Sequence, residues 1–261
     1  MGRVLIGGLL RGGWRSEQLS VAESQAAARE AVARDFGITA TADNAAAVAG
    51  ASIVVLAVKP QDAAAVLQPL AAALAAERPL LISVAAGVRI AALESWCGAG
   101  VPVMRAMPNR AARVGAAATG VYAPPAVGHG QRIAAERVLQ AVGEVFWVRA
   151  EELLDVITAF SASGPAYFFL LAELMAEAGA ELGLESAIAQ RLAAATLYGS
   201  GLLARAGDCD LARLREEVTS VGGTTEAALR AFAAADLRAT VRAALVAATQ
   251  RGRELARQTL P

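Results

Sequence analysis

Histidine is almost absent from this chain, and that scarcity closes off whole classes of chemistry. Of 261 residues only His129 is histidine, and it stands inside PPAVGHGQ, where proline and glycine on both sides mark an exposed loop. Without a second histidine, neither a Ser-His-Asp triad nor a histidine metal site has partners to draw on. Cysteine is nearly as rare. Cys97 and Cys209 lie far apart without metal-ligand spacing, and they read as two free thiols in a reducing compartment. Excess charge is missing too, since Lys+Arg and Asp+Glu are equal at 24 each. Nucleic acid or an anionic membrane surface would favour a basic excess, so neither is expected as the main partner. An uninterrupted apolar span of roughly 20 residues is also lacking. The nearest approach, AYFFLLAELMAEAGAELGL (166–184), is broken at helical spacing by Glu173, Glu177 and Glu181. No small-residue cleavage site follows the apolar stretch of MGRVLIGGLLRGGW, so it is not read as a signal peptide. The expectation is a cytoplasmic protein without a metal.

What is present is a large core. Hydrophobic residues make up 56% of the chain and charged residues 18%, enough to fold one large domain or two smaller ones. Up to about residue 150, short β-branched runs alternate with alanine-rich helical stretches. LSVAES (19–24) reads as a short strand, followed by a helix from Gln25 to Phe36 that Gly37 stops. ASIVVLAVKP (51–60), LLISVAAGV (80–88) and VPVMRAMPN (101–109) are continuous apolar runs of the kind buried on both faces. The segment 62–77 between the first two reads as one helix, and Ile90–Trp96 as another. Such alternation predicts a parallel sheet with helices on both sides, a Rossmann-like α/β domain over residues 1–150. From Glu151 to the end the strands disappear, which predicts an all-α domain over 151–261, broken at 161–165, 181–186, 206–210 and 220–225. Ser163 followed by Gly164-Pro165 reads as a capped helix start. That helix is apolar nearly all round, with Tyr167, Phe168, Phe169, Leu170, Leu171, Leu174 and Met175. Burial against a second subunit would satisfy it, so the helical half is expected to form a homodimer or a higher homo-oligomer.

The stretch EEVTSVGGTTEAALRAF (216–232) sets two glycines and several hydroxyls in front of a helix. A helix start needs one cap, and Gly223 with Glu226 could already supply the pair. The surplus of Thr219, Ser220, Gly222, Thr224 and Thr225 is what an anion site requires. Open N–H groups and the positive end of the helix dipole attract an anion, glycines admit it to the backbone, and hydroxyls add donors. An ordinary glycine-rich turn is the alternative on this stretch alone. AVKP (57–60), VAAGV (84–88) and MPN (107–109) tilt the balance, because they fall at carboxyl ends of neighbouring parallel strands, where such sheets bind ligands.

Taken in order, LAVKPQ, ISVAAGV, RAMPN with VG five residues on, SGPAYFFLLAE and VTS-x-GGTTEAAL resemble pyrroline-5-carboxylate reductase over essentially the whole chain. The glycine-threonine turn is the most specific of these. The family opens with a strand and a turn of the form F-I-G-x-G-N-M-[GA]. Met1-Gly2 corresponds to the last two positions, so the first strand and the first two glycines are not in this sequence. A start placed too far downstream explains this better than a truncation, because everything after it is intact. Val221 stands where the family usually has proline, and Arg110-Ala111 where Thr-Pro usually follows MPN.

The resemblance implies reduction of 1-pyrroline-5-carboxylate to L-proline with NADPH or NADH, the last step of proline biosynthesis. A cyclic iminium is already electrophilic, so the protein must orient the ring, exclude water and hold the carboxylate. On this reading Ser220, Thr224 and the backbone N–H groups of Gly222 and Gly223 bind the carboxylate, and Thr225 bonds the ring nitrogen. Thr225 and Ser220 are the candidate catalytic residues. Met1, Gly2, Glu23, Asn44, Ala57, Val58, Lys59, Pro60, Ala85, Ala86, Gly87 and Asn109 are the candidate cofactor residues. Glu23 and Asn44 are placed near the adenosine ribose, and Ala85, Ala86, Gly87 and Asn109 toward the nicotinamide. Glu23 alone predicts a preference for NADH, since a 2′-phosphate would meet like charge. Two rivals remain open here. One is a two-domain β-hydroxyacid dehydrogenase, which would need a lysine that ITAFSASGPAYFFLLAEL does not contain. The other is an inactive dimeric scaffold.

Overall fold

A computed structural model describes residues 1–207 and 210–258, so Cys209 lies outside the described residues. From the N-terminus come α1 (Gly2–Arg11), α2 (Ala26–Phe36) and α3 (Asn44–Val48), then strand β1 (Ile53–Leu56). α4 (Ala63–Leu67) and α5 (Ala71–Glu77) lead to β2 (Leu80–Ser83), and α6 (Ile90–Cys97) leads to β3 (Val103–Met107). β4 (Ala117–Tyr122), α7 (His129–Gln140), β5 (Gly143–Trp147) and α8 (Leu153–Ile157) follow. The remainder is helical: α9 (Gly164–Glu181), α10 (Ser186–Ala206), α11 (Leu211–Glu217), α12 (Thr224–Ala234) and α13 (Leu237–Gln258). Contacts divide the chain into two compact units. The first joins Met1–Ala162 to the residues from Ala248 onward, and the second is Ser163–Ala247.

The first unit is built on a five-stranded sheet in the order β1-β2-β3-β4-β5. β1, β2 and β3 pair in parallel, as do β4 and β5, whereas β3 and β4 are antiparallel. The sheet is thus mostly parallel, with one reversal where the turn Arg110–Val114 replaces a crossover helix. β2 explains why its sequence carries no alternation, for all four of its residues are buried. Leu80 and Ile82 enter one core with Leu5, Met104, Val121 and Leu139. Leu81 faces the other way, with Leu67, Leu74, Leu93 and Val103. Each such leucine contributes about 1.5–3 kcal/mol relative to exposure.

Three local expectations change in the first unit. Residues 19–24 add only an isolated bridge, Ala22 to Thr41, and not a full strand. The helix over 62–77 splits into α4 and α5 around a 3-10 turn at Gln68–Leu70, because Pro69 lacks the N–H that a continuous helix would need. His129 is the exposed first residue of α7 and does not sit in a loop.

In the second unit, α9 and α10 meet along a seam of small residues, where Ala176, Ala189 and Ala193 are buried and Ala172 packs on them. Small side chains let the two helices approach, and the large ones are left outside. Phe168 and Phe169 are each 60% exposed, and Leu170, Leu171, Leu174 and Met175 are exposed as well. Ser163 occupies the N-cap of α9 but makes no capping bond, because the chain arrives there through a π-helical turn at Thr158–Ala162. The stretch Leu153–Glu181 is long and apolar enough to cross a bilayer by length and composition.

Candidate functional site

In the first unit, the carboxyl ends of β1 and β2 lie side by side, and Val84 N–H continues their pairing by donating to Leu56 O at 3.1 Å. The loops that follow carry Ala57, Val58, Lys59 and Pro60 after β1, and Ala85, Ala86 and Gly87 after β2. Gly2 joins them, since a Cβ on Gly2 would lie 3.5 Å from the Ala57 Cβ. Gly2 also opens α1, where Met1 O accepts from the N–H groups of Val4 and Leu5. The N–H groups of Gly2 and Arg3 have no partner among the described residues. An unfilled helix N-terminus facing a rim of glycine and alanine fits a diphosphate, which must come close to the backbone. Lys59, the only lysine of the chain, stands exposed at this rim.

The residues expected near the adenosine ribose gather around the Ala22–Thr41 bridge. Glu23 N–H donates to Thr41 O at 2.9 Å, which sets Glu23 close to the turn that opens α3. The side chain capping that helix is Asp43, which accepts from Ala45 N–H at 2.8 Å, while the neighbouring candidate Asn44 is the first helical residue. The Glu23 carboxylate accepts from Gln25 N–H at 2.9 Å and thereby caps the approach to α2. Arg29 adds a cation beside Glu23. It lies within α2, yet its Nη1 reaches back to Glu23 O at 2.8 Å and Ser24 O at 2.7 Å. A cation therefore stands at the same turn as Glu23, and repulsion of a 2′-phosphate no longer follows from Glu23 alone.

Asn109 is drawn inward. It is 9% exposed, its amide nitrogen donates to Ser161 O at 3.1 Å, and its amide oxygen accepts from Ala118 N–H at 3.3 Å. Its side chain ties the end of β3 to β4 and to the π-turn. Arg110 beside it is exposed and makes no hydrogen bond or ion pair among the described residues.

In the second unit, the glycine-threonine turn sorts its residues into two groups. Thr219 is structural: its hydroxyl donates to Arg215 O at 2.6 Å and finishes α11. Gly222 has φ +72, a left-handed conformation that costs a residue with a Cβ about 1–2 kcal/mol. Gly223 is the N-cap of α12. Both glycine N–H groups already have partners. Gly222 donates to Glu226 Oε2 at 2.6 Å, and Gly223 donates to Ser220 O at 3.0 Å. Gly222 and Gly223, expected from the sequence as carboxylate donors, thus spend these N–H groups within the turn. The open N–H groups at this helix start are those of Thr224, Thr225 and Glu226, and the hydroxyls of Ser220, Thr224 and Thr225 have no partner among the described residues. Sequence reading foresaw Glu226 as a capping partner but not that its carboxylate would hold Gly222.

Comparison with known proteins supports both halves. Residues 1–87 match the family described as NADP oxidoreductase, coenzyme F420-dependent, and residues 151–255 match pyrroline-5-carboxylate reductase dimerisation. The chain is 45% identical to the pyrroline-5-carboxylate reductase of Pseudomonas aeruginosa, over 99% of this chain and 94% of that one. The solved reductase of Coxiella burnetii is 36% identical with a TM-score of 0.94, covering 97% of this chain and 94% of that one. The Plasmodium falciparum enzyme, solved with NADP bound, is 25% identical with a TM-score of 0.82, covering 98% and 94%. These matches favour neither a hydroxyacid dehydrogenase nor an inactive scaffold. From end to end, this chain belongs to the pyrroline-5-carboxylate reductase family.

Proposed function

We propose that this protein reduces 1-pyrroline-5-carboxylate to L-proline with NADPH or NADH, residues 1–150 holding the dinucleotide and 151–261 the imino acid. When bound, the cofactor supplies the hydride. The N–H groups of Gly2 and Arg3 hold its diphosphate, Glu23 and Arg29 flank the adenosine ribose, and the Ala85–Gly87 loop borders the nicotinamide. The observation that carries the substrate half is the set of unpartnered donors at the start of α12. Thr224 and Thr225 N–H groups, with the Ser220 and Thr224 hydroxyls, hold the carboxylate, and the Thr225 hydroxyl bonds the ring nitrogen. Several donors must act together, because a helix dipole alone contributes about 0.3–1 kcal/mol at an exposed site. Glu226 fixes the turn, and Arg230, 4.0 Å from its carboxylate, offsets the negative charge it brings beside an anion.

The apolar faces of α9 and α10 cover one another in a homodimer, which accounts for their exposure in a single chain better than a membrane does, since Glu173 and Glu177 lie on the exposed surface. A dissociable nicotinamide cofactor agrees with a cytoplasmic location. The substrate reading is tested with Thr225→Ala. Turnover over Michaelis constant for the imino acid should fall roughly tenfold to a hundredfold, the effect of one or two hydrogen bonds to a charged group. Melting temperature should stay put. Full activity in Thr225→Ala would falsify the assignment.

A further inference from the structure

Two ion pairs in the first unit lie apart from every residue assigned so far, and both converge on the same short segment. Arg89 Nη2 donates to Asp155 Oδ2 at 2.5 Å, with Asp155 only 3% exposed. Arg105 Nη1 donates to Glu151 Oε1 at 2.7 Å, with Arg105 4% exposed. The same Glu151 oxygen accepts from Ile90 N–H at 2.9 Å. Ile90 opens α6, so its N–H has no partner within the helix and Glu151 supplies one. Residues 89 and 90, directly after the Ala85–Gly87 loop, are thus each gripped by a carboxylate from the region of α8. Val88, between loop and grip, is fully buried. A Cβ on Gly87 would lie 3.6 Å from the Cα of Ala256 in α13. The loop is held at its exit and packed at Gly87.

Burying two ion pairs is a poor way to gain stability, because the desolvation cost offsets most of the attraction and apolar residues often do as well. What such pairs supply is a fixed geometry. Burial pulls the Arg105 guanidinium below its ordinary range, and the hydrogen bond and charge of Glu151 work against that shift. Arg89, Glu152 and Asp155 line a cavity of about 220 Å³ with Arg253, Ala256 and Arg257.

We propose that Arg89–Asp155 and Arg105–Glu151 form a double clamp that positions the Ala85–Gly87 loop against the nicotinamide end of the cofactor. This rests on the reading that the loop borders the nicotinamide. None of the four side chains touches a reacting atom; they are positioning residues. The experiment compares Asp155→Asn, Glu151→Gln, Arg89→Lys and Ala86→Phe. It reads NADPH affinity by nicotinamide fluorescence, Michaelis constants for cofactor and imino acid, and melting temperature without cofactor. Asp155→Asn and Glu151→Gln should each lower turnover over Michaelis constant for NADPH tenfold or more, as a small displacement of a reacting group does. The Michaelis constant for the imino acid should not change, and Arg89→Lys, which keeps a cation opposite Asp155, should recover most of the activity and serves as the test if Asp155→Asn fails to fold. A parallel loss for both substrates that follows melting temperature would overturn the clamp. Ala86→Phe separates the two ideas. If it abolishes NADPH affinity while the clamp variants bind normally, the inference fails and the loop reading stands. If it leaves NADPH affinity intact, the loop reading fails and the inference with it.

Discussion

Arg29 places a cation at the turn that carries Glu23. Its position within α2 gives no hint of it, yet its guanidinium donates to the carbonyls of Glu23 and Ser24. A carbonyl is a weaker partner than a phosphate, so Arg29 can turn to a 2′-phosphate when one is offered. Arg29→Ala should shift the ratio of turnover over Michaelis constant toward NADH by roughly tenfold to a hundredfold. An unchanged ratio of the two cofactors would assign the arginine to the turn alone. Cys97 is a second residue whose chemistry follows from its place. It is fully buried among aliphatic side chains, and burial pushes its thiol up to about 11 from an ordinary value of 9.0. Only a thiolate attacks alkylating reagents. Iodoacetamide at pH 8 should leave the Cys97 peptide unmodified in the native protein and label it in urea, as read by mass spectrometry. The sign of the stability effect follows from the same shift. The folded state keeps the thiol neutral, so this group costs nothing below about pH 9 and destabilises the fold as pH rises from 9 toward 11.

Among elements, α9 has the most at stake. Its large side chains stand outward from an alanine seam, and a second copy of the chain is the partner that would cover them. Leu171→Glu should give a monomer or an aggregate with little activity, checked by sedimentation. A fully active monomer would remove the dimer from the mechanism. The sequence announces α9 by its composition, just as β1, β2 and β3 announce themselves as unbroken apolar runs with cover on both faces. β4 was not legible, and the reason is physical. Its residues are AATGVY, and a Cβ on Gly120 would fall 2.3 Å from Ile157. The strand is small because α8 lies on it, so its composition records a neighbour and not a propensity. The glycine-threonine turn was legible as a cluster but not as a division of labour. Which N–H groups remain open depends on where Glu226 and Ser220 O reach, and spacing alone does not set that. The side-chain bond of Asn109 was hidden for a similar reason, since its partner Ser161 is distant in sequence.

At the scale of the whole molecule, stability is tied to association and to ligand. A protein whose second unit leaves its apolar surface to a partner should melt at a temperature that rises with its own concentration. Dilution over two orders of magnitude, followed by calorimetry, checks this, and a midpoint independent of concentration would contradict it. NADPH at about a hundred times its dissociation constant should add about 2.7 kcal/mol to the same transition. The connectivity has a further consequence, for biogenesis. The first unit is interrupted by the second and completed only by residues from Ala248 onward. The segment beside Gly87 is thus made only after the whole of the second unit. A nascent chain can lay down its sheet early, but the Ala85–Gly87 loop meets Ala256 only after the second unit has been made, so a chain that stops within the second unit should keep the sheet and lack the backing of that loop.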